Sequence, residues 1–430
     1  MAETYKLSLF SAIIINLNIM LGVGIFLNCA LFAQQAGVFG FVPYLTIGIL
    51  LIPLIIAMAA LLNKQEDGTF YGVAYKELGK FWGFLSTWSY FIAKPASAGV
   101  MITFFCDLLL GFFPGIPLSL ITCTLLIVAI FVFLNLFGMR IGRSIQMGFI
   151  ILKLIPILFI ILVGFWFLNP HNFVHITFSF ANTAAILPMA IYAFAGFEAS
   201  FSLNRHIENA QRNAPRAIIV SYLIVICTYL LYQSAYYGAL NLTELMYAKH
   251  ADGILLFLNS IYTKVHPHLQ ALFYLCVGTS ALGGAYGILF SNMWNLHELT
   301  EKKLLPYSQK ISHKNNTGIA YWCLFAEAAL CTAYIVTTHA NKAILQQVNA
   351  FGCTLTYTIS TIAFAVLAFS IIKKRWARIV AIFALCTCMI FIISCINGFR
   401  VFGPTALFAF TGLLIVGAIL FNLQTRKKAT

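Results

Sequence analysis

Leu17-Asn18-Ile19-Met20-Leu21-Gly22-Val23-Gly24-Ile25-Phe26 lies midway along an apolar run spanning about residues 8–35. A related string, Tyr192-Ala193-Phe194-Ala195-Gly196-Phe197-Glu198, interrupts another at about residues 183–204. Each run has the ~20 mostly apolar residues that a membrane-crossing helix needs. Glycine inside such a helix commonly serves close packing alone. Here the two strings are related: Gly24 and Gly196 stand 172 residues apart, and that shift also brings the second apolar run onto the seventh. Five runs separate the two starts, an odd number, so the second copy is inverted. Matching glycine-interrupted spans in two inverted halves are the mark of a secondary transporter's binding site.

A helix broken at mid-membrane leaves N–H groups free at the start of its second half and C=O groups free at the end of its first. Hydrocarbon satisfies neither, so the break has to line a protein cavity. The N–H groups of Val23, Gly24 and Ile25, which follow Gly22, would face a carboxylate, helped by the half-helix dipole. Carbonyls near Asn18, Ile19, Tyr192 and Ala193 would face an ammonium group, with Phe194 and Gly196 completing the second break. A site offering both fits the backbone of an α-amino acid. Glycine leaves the backbone open to approach. The spacing predicts non-helical backbone at 22–24 and 193–196, within ~10 Å of each other in a bilayer core of ~30 Å.

The remaining sequence fits a membrane setting. Of 430 residues, 61% are hydrophobic and 9% charged, and the mean hydropathy is +0.91. A soluble domain carries about 25% charged residues, so the several soluble domains that this length permits are excluded. The apolar stretches are continuous, unlike the ~10-residue alternating strands of a membrane barrel. Twelve candidate spans fall at about 8–35, 39–62, 81–106, 117–137, 144–168, 183–204, 216–238, 268–296, 319–338, 346–371, 377–396 and 402–423. The expected fold is therefore all-α and polytopic. A single transmembrane domain, 1–430, would contain a first five-helix repeat at 8–168, an inverted second repeat at 183–371, broken helices 1 and 6, and two extra helices at 377–423. The stretch Gly253–Ile261, too short to span, reads as an interfacial helix or lid.

The net charge of +14 reports topology and not nucleic acid, because the basic residues sit in short loops between spans. With the N-terminus in the cytoplasm, twenty of the 26 lysines and arginines lie on the cytoplasmic side and four on the other; Lys94 and Lys153 fall inside spans. Both termini are therefore expected in the cytoplasm, with the chain in the cell inner (cytoplasmic) membrane. No basic n-region with a small-residue cleavage site precedes the first span, so no cleaved signal peptide is read. The eleven cysteines show no metal-ligand spacing and read as small packing residues. No metal, no cofactor, no nucleic acid and no obligate protein partner is expected.

The pattern resembles the amino acid–polyamine–organocation superfamily, which shares the leucine-transporter fold. The likeness rests on Gly22-Val23-Gly24-Ile25-Phe26, similar to the family's G-S/A-G-I-F, and on Ala193-Phe194-Ala195-Gly196-Phe197-Glu198 at the helix 6 break. It extends to the segment from Asn135-Leu136-Phe137-Gly138 through Lys153-Leu154-Ile155-Pro156. The loop Glu208-Asn209-Ala210-Gln211-Arg212-Asn213-Ala214-Pro215-Arg216-Ala217-Ile218 is similar to the family's E-x-x-N-P-x-R-N-x-P-R-A-I. The match covers helices 1 to 8. The chain departs at Asn28, near where a proline is common, at Ala210 in place of the loop proline, and at Asn292-Met293-Trp294-Asn295-Leu296-His297-Glu298, which lacks the usual arginine. The resemblance implies a bundle of helices 1, 2, 6 and 7 rocking against a scaffold of 3, 4, 8 and 9, with alternating access to a midplane amino-acid site. Substrate identity is not carried over.

An ionisable residue within a span is a functional candidate by default. The resemblance places Lys153 where proton-coupled members carry a lysine in the position of a sodium ion. An amine held away from water can gain and lose a proton, so Lys153 is a candidate for coupling; the alternative is an amine that permanently satisfies carbonyls between helices 1 and 5. Thr279 and Ser280 of helix 8 are expected to supply oxygens near it. Glu198 is a second proton-coupling candidate, or a structural clamp on the broken segment. Likeness to arginine/agmatine antiporters puts Lys94 at a substrate-contacting position, where a cation would favour acidic or neutral ligands; the alternative pairs it with Glu198 or Glu327. It also puts Tyr192 where a tryptophan covers bound substrate. Glu327 matches nothing in the resemblance.

Transport of an amino acid, by proton symport or by substrate exchange, is the reading that results. A polytopic enzyme would need a catalytic constellation near an interface, but His171, His175 and His266-Pro267-His268 have no acidic neighbours. No catalytic residue is assigned. A channel remains a third class, to be distinguished by saturation with substrate. No GxxxxGK[ST] loop for an ATP-driven pump is present.

Overall fold

The computed structural model describes residues 6–64, 68–173, 180–240, 256–258 and 267–426. Outside these residues lie His175, Lys249, Lys264, His266, Lys427, Lys428 and most of the expected interfacial segment Gly253–Ile261. Among the described residues the fold is helical, and the one extended pairing is an isolated parallel bridge between Leu7 and Ile207. In chain order the helices are α1 Leu9–Met20, α2 Gly24–Ala36, α3 Val42–Lys64, α4 Phe70–Leu78, α5 Lys80–Phe112, α6 Leu120–Asn135, α7 Met139–Trp166 and α8 Phe180–Phe194. They continue as α9 Ala199–Ser202, α10 Ala210–Ala239, α11 Pro267–Glu301, α12 Ser308–Ile311, α13 Tyr321–Thr337, α14 Lys342–Leu367, α15 Arg375–Phe402 and α16 Thr405–Arg426. Among the described residues nine helical segments are long and apolar enough to cross a membrane, the α1–α2 pair counting as one, and α6 and α13 are shorter apolar helices.

Local chemistry sets many of the boundaries. Ser8, Thr69, Ser119 and Asn341 stand just ahead of α1, α4, α6 and α14, and each side chain accepts from an N–H of the first turn. The radial order is that of a protein dissolved in lipid. On α7, Ile151, Leu152, Leu154, Ile155, Leu158 and Leu162 are exposed, while Lys153 between them is fully buried. Asn16, Asn18, Asn28, Lys94, Gln146, Glu198, Gln233 and Glu327 are likewise buried. Polar groups find their partners inside, since hydrocarbon offers none.

The long helices α5 and α11 pack along each other, and α5 also packs on α14. On α11 lie α1, α7 and α9; α8 packs on α14, α2 on α8, and α10 on α1 and α7. A run of glycines on α11 lets α1 come close. A Cβ added at Gly283 would meet Asn18 Oδ1 at 2.8 Å, at Gly284 the Asn18 carbonyl oxygen at 3.2 Å, and at Gly287 Ile19 Cγ1 at 2.9 Å.

Candidate functional site

The helix that starts at Leu9 stops at Met20 and restarts at Gly24, so the first interruption occupies Leu21–Val23 and not 22–24. The second begins later than the sequence suggested. Ala193 and Phe194 are still helical, and the chain leaves the helix at Ala195 and re-enters it at Ala199. The cause is Gly196, whose φ of +144° is closed to other residues. Its Cβ would also lie 2.9 Å from the Met20 N and 2.7 Å from Ile19 Cγ2. A Cβ at Gly24 would lie 2.8 Å from Ala193 Cβ and 3.1 Å from Ala193 Cα. The two interruptions therefore touch, and each glycine is required by the other's backbone. Val23, Ile25, Tyr192, Ala193 and Phe194 are all buried here.

The freed backbone groups divide into two sets. Among the described residues no acceptor takes the N–H of Val23, Gly24 or Ile25, which open α2. Most of the carbonyls, by contrast, have donors. Lys153 Nζ donates to the Asn18 carbonyl at 2.5 Å, and Ser280 Oγ to that of Leu21 at 3.4 Å. Thr279 bonds back to Cys276 on its own helix and takes no part. The hydroxyl of Tyr229, on α10, reaches both the Met20 carbonyl (2.5 Å) and the Ala193 carbonyl (2.8 Å). The Tyr192 carbonyl accepts from Ala195 N at 3.2 Å. Of the four carbonyls named from the sequence, that of Ile19 alone has no donor outside its helix among the described residues. Tyr44 adds a bond from its hydroxyl to the Gly24 carbonyl at 2.9 Å. The Asn18 side chain donates to the Gln146 side chain on α7 and to its carbonyl.

Lys94 and Glu198 form a buried ion pair, Nζ to Oε1 2.8 Å. The carboxylate is held further by the Tyr90 hydroxyl at 3.1 Å and by Gly196 N at 2.7 Å. Glu198 thus caps the interruption of which it is the last residue, and the pairing alternative for Lys94 is the one the geometry displays. Tyr192 is buried, with Ser97 of α5 beside its hydroxyl. Glu327 has no basic partner at ion-pair distance among the described residues; Asn292 Nδ2 donates to its Oε1 at 2.9 Å.

Sequence reasoning missed Tyr229, Tyr44 and Asn16, whose Nδ2 donates to Ser200 Oγ on α9 at 2.9 Å. It also missed a polar cluster beyond α9. There Arg205 pairs with Glu298 at 3.3 Å and with Glu301, and Thr69 Oγ1 donates to Glu298 at 2.6 Å. Lys6 donates to the Arg205 carbonyl, and the His206 ring lies 4.2 Å from that of Trp294. These residues line a cavity of about 200 Å³. Burial, and then the charges of Lys314 and Lys6, lower the His206 imidazole to about 3. The sequence signal available was the run of opposite charges at Arg205, Glu298 and Glu301, which carry no spacing rule of their own.

A family model described as amino acid permease matches residues 7–421. The chain belongs to the amino acid permease family. This permease is a multi-pass membrane transport protein and not an enzyme. It is 26% identical over 321 residues to the serine/threonine exchanger SteT of Bacillus subtilis (strain 168), covering 72% of this chain and 69% of the exchanger. It is 24% identical over 276 residues to the branched-chain amino acid permease BcaP of the same organism, covering 58% of each chain. It is 28% identical over 250 residues to that organism's methylthioribose transporter, covering 52% of each. Relatives of nearly equal identity thus carry names for three different substrates.

Proposed function

We propose that this permease is a secondary active transporter that moves an amino acid across the cell membrane by alternating access, coupled to protons. The observation that carries the reading is the row of unclaimed N–H groups at Val23, Gly24 and Ile25, set against a second interruption. A helix N-terminus with free amides suits the substrate carboxylate. The Ile19 carbonyl is the acceptor left for its ammonium. In this reading Tyr192 covers the bound substrate from α8, and Phe194 and Gly196 lie on the substrate's far side. Lys94 is balanced by Glu198, so that side carries no net charge, which fits a zwitterion with a neutral side chain better than an arginine. Competition by arginine as potent as by neutral amino acids would refute this electrostatic argument.

Lys153 is the proposed coupling residue. Its ammonium holds the Asn18 carbonyl at the end of α1 and so ties the moving segment to α7; the neutral amine holds it less well. A proton with different affinities for two conformations is all that coupling requires. The finer topology belongs to the same reading: twelve spans, repeats at 8–168 and 183–371, two added helices at 377–423, both termini cytoplasmic, and no obligate protein partner. Exchange of one amino acid for another is the second reading, favoured by the name of the SteT relative. Uptake into liposomes, tried with each of the twenty amino acids with and without an imposed pH gradient, tests both. Accumulation driven by the gradient supports symport. Uptake only into vesicles preloaded with substrate supports exchange. Absence of saturable uptake of any amino acid would end the proposal.

A further inference from the structure

We propose that Glu327 is a proton-binding site, occupied in this conformation and linked through a side-chain chain to α9, beside the second interruption. This deepens the proton-coupled reading and rests on it for its purpose, though not for its test. Glu327 lies on α13, fully buried. Asn292 Nδ2 of α11 donates to its Oε1 at 2.9 Å, and its Oε2 has no partner. The neighbouring elements supply no neutralising charge at ion-pair distance among the described residues. On its own helix Cys323 and Cys331 flank it. From α5, Lys94 is occupied by Glu198 and Asp107 by Lys342. From α11, Glu298 and Glu301 are paired with Arg205, and His297 packs on Trp294. Lys310 of α12 lies over the Trp322 ring, and α6 offers only Cys123.

A carboxylate with one amide donor and no cation is strongly disfavoured away from water, whereas the acid form leaves at most one hydroxyl unmet. The proton therefore sits on Oε2 while Oε1 accepts from Asn292. Asn292 also donates to the Phe91 carbonyl at 3.1 Å and accepts from Asn295 Nδ2 at 3.0 Å. Asn295 Nδ2 in turn donates to Ser202 Oγ on α9 at 2.9 Å. The path thus runs from a buried acid on α13 to the short helix after Gly196. Movement of α9 away from α11 breaks the Asn295–Ser202 bond and opens this path to water. The O–H bond of Glu327 then breaks, the proton passes to water, and the carboxylate is left hydrated. The closed arrangement favours the acid and the open one the anion, so the proton is a ligand of one state.

Infrared spectra of the full chain in liposomes at neutral pH, with glutamate labelled by carbon-13, read the proton directly. A labelled protonated-carboxyl band is expected, and it should vanish in E327Q and equally in E327D, whose carboxyl is unlabelled. Either variant assigns the band if the other fails to fold. Absence of any labelled protonated carboxyl in the wild type, or its persistence in the variants, overturns the site. S202A tests the link without touching Glu327. In pH titrations of the band, the S202A midpoint should fall below that of the wild type by roughly 0.4–1 pH unit, the scale of one hydrogen bond. An unchanged midpoint overturns the link. Lys153 can fail as the coupling residue without altering either result.

Discussion

Tyr229 spends one hydroxyl proton on two carbonyls, those of Met20 and Ala193, and so joins the ends of two half-helices. Tyr229→Phe removes that donor and leaves both oxygens unmet in a buried place. A loss of about 1–3 kcal/mol is expected, read as substrate affinity falling roughly fivefold to a hundredfold, while the chain still inserts and folds. Unchanged affinity would make the contact incidental. Gly24 sets a second test. Since its Cβ would strike Ala193, Gly24→Ala should weaken binding, and Ala193→Gly in the same chain should recover much of the loss. Overpacking costs of about 1–3 kcal/mol are typical. If the double variant binds no better than Gly24→Ala, the damage lies in the ligand's space instead. The glycines were legible in the sequence because they recur 172 residues apart inside two apolar runs, although what requires Gly24 is a contact with the distant Ala193. Tyr229 was not: it is one of 19 tyrosines, and only the rotation of α10 selects it.

At the scale of elements, the ion pair Lys94–Glu198 ties α5 to the turn between α8 and α9. Removing one partner strands a buried charge, which typically costs 3–5 kcal/mol, while replacing both with neutral groups costs far less. Lys94→Met should therefore reduce the folded yield sharply, and Lys94→Met with Glu198→Gln should restore it, as measured by monodispersity in detergent. If the single change is harmless, the pair is not what holds the turn. The sequence exposed both residues as charges within spans, and it raised their pairing, but it could not choose between pairing and ligand contact. That choice depends on which way two helices face. The polar cluster beyond α9 gives a pH test. His206 titrates at about 3 in the folded chain, against about 6.5 when unfolded. A lowered value means that its contribution to stability is present above about pH 6.5 and is lost as the pH falls toward 3. By pH 5 the loss is on the order of 2 kcal/mol. Melting temperatures of the wild type should fall between pH 6.5 and 5, and His206→Phe, which keeps a ring against Trp294, should flatten the fall.

For the whole molecule, the coupling role proposed for Lys153 turns on its bond from α7 to the Asn18 carbonyl of α1. Lys153→Ala is expected to abolish gradient-driven accumulation by at least tenfold while substrate binding remains measurable. Concentrative uptake by that variant in response to an imposed gradient would assign the lysine a structural role. The membrane class and the helical fold followed from composition, because too few charges exist to cover a wetted surface. The ion pairs of Arg205 with Glu298 and Glu301 were not legible, since they join segments nearly a hundred residues apart.

The glycine face of α11 bears on friction. Interdigitated side chains lock two helices in one register, and sliding past a lock means climbing over each knob. Gly283, Gly284 and Gly287 offer α1 a track without knobs, so the last turn of α1 can tilt along it while keeping van der Waals contact. A methyl group on this track would meet Asn18 and Ile19 in the arrangement described, so it would act as a wedge: it would disfavour this arrangement as well as roughen the path out of it.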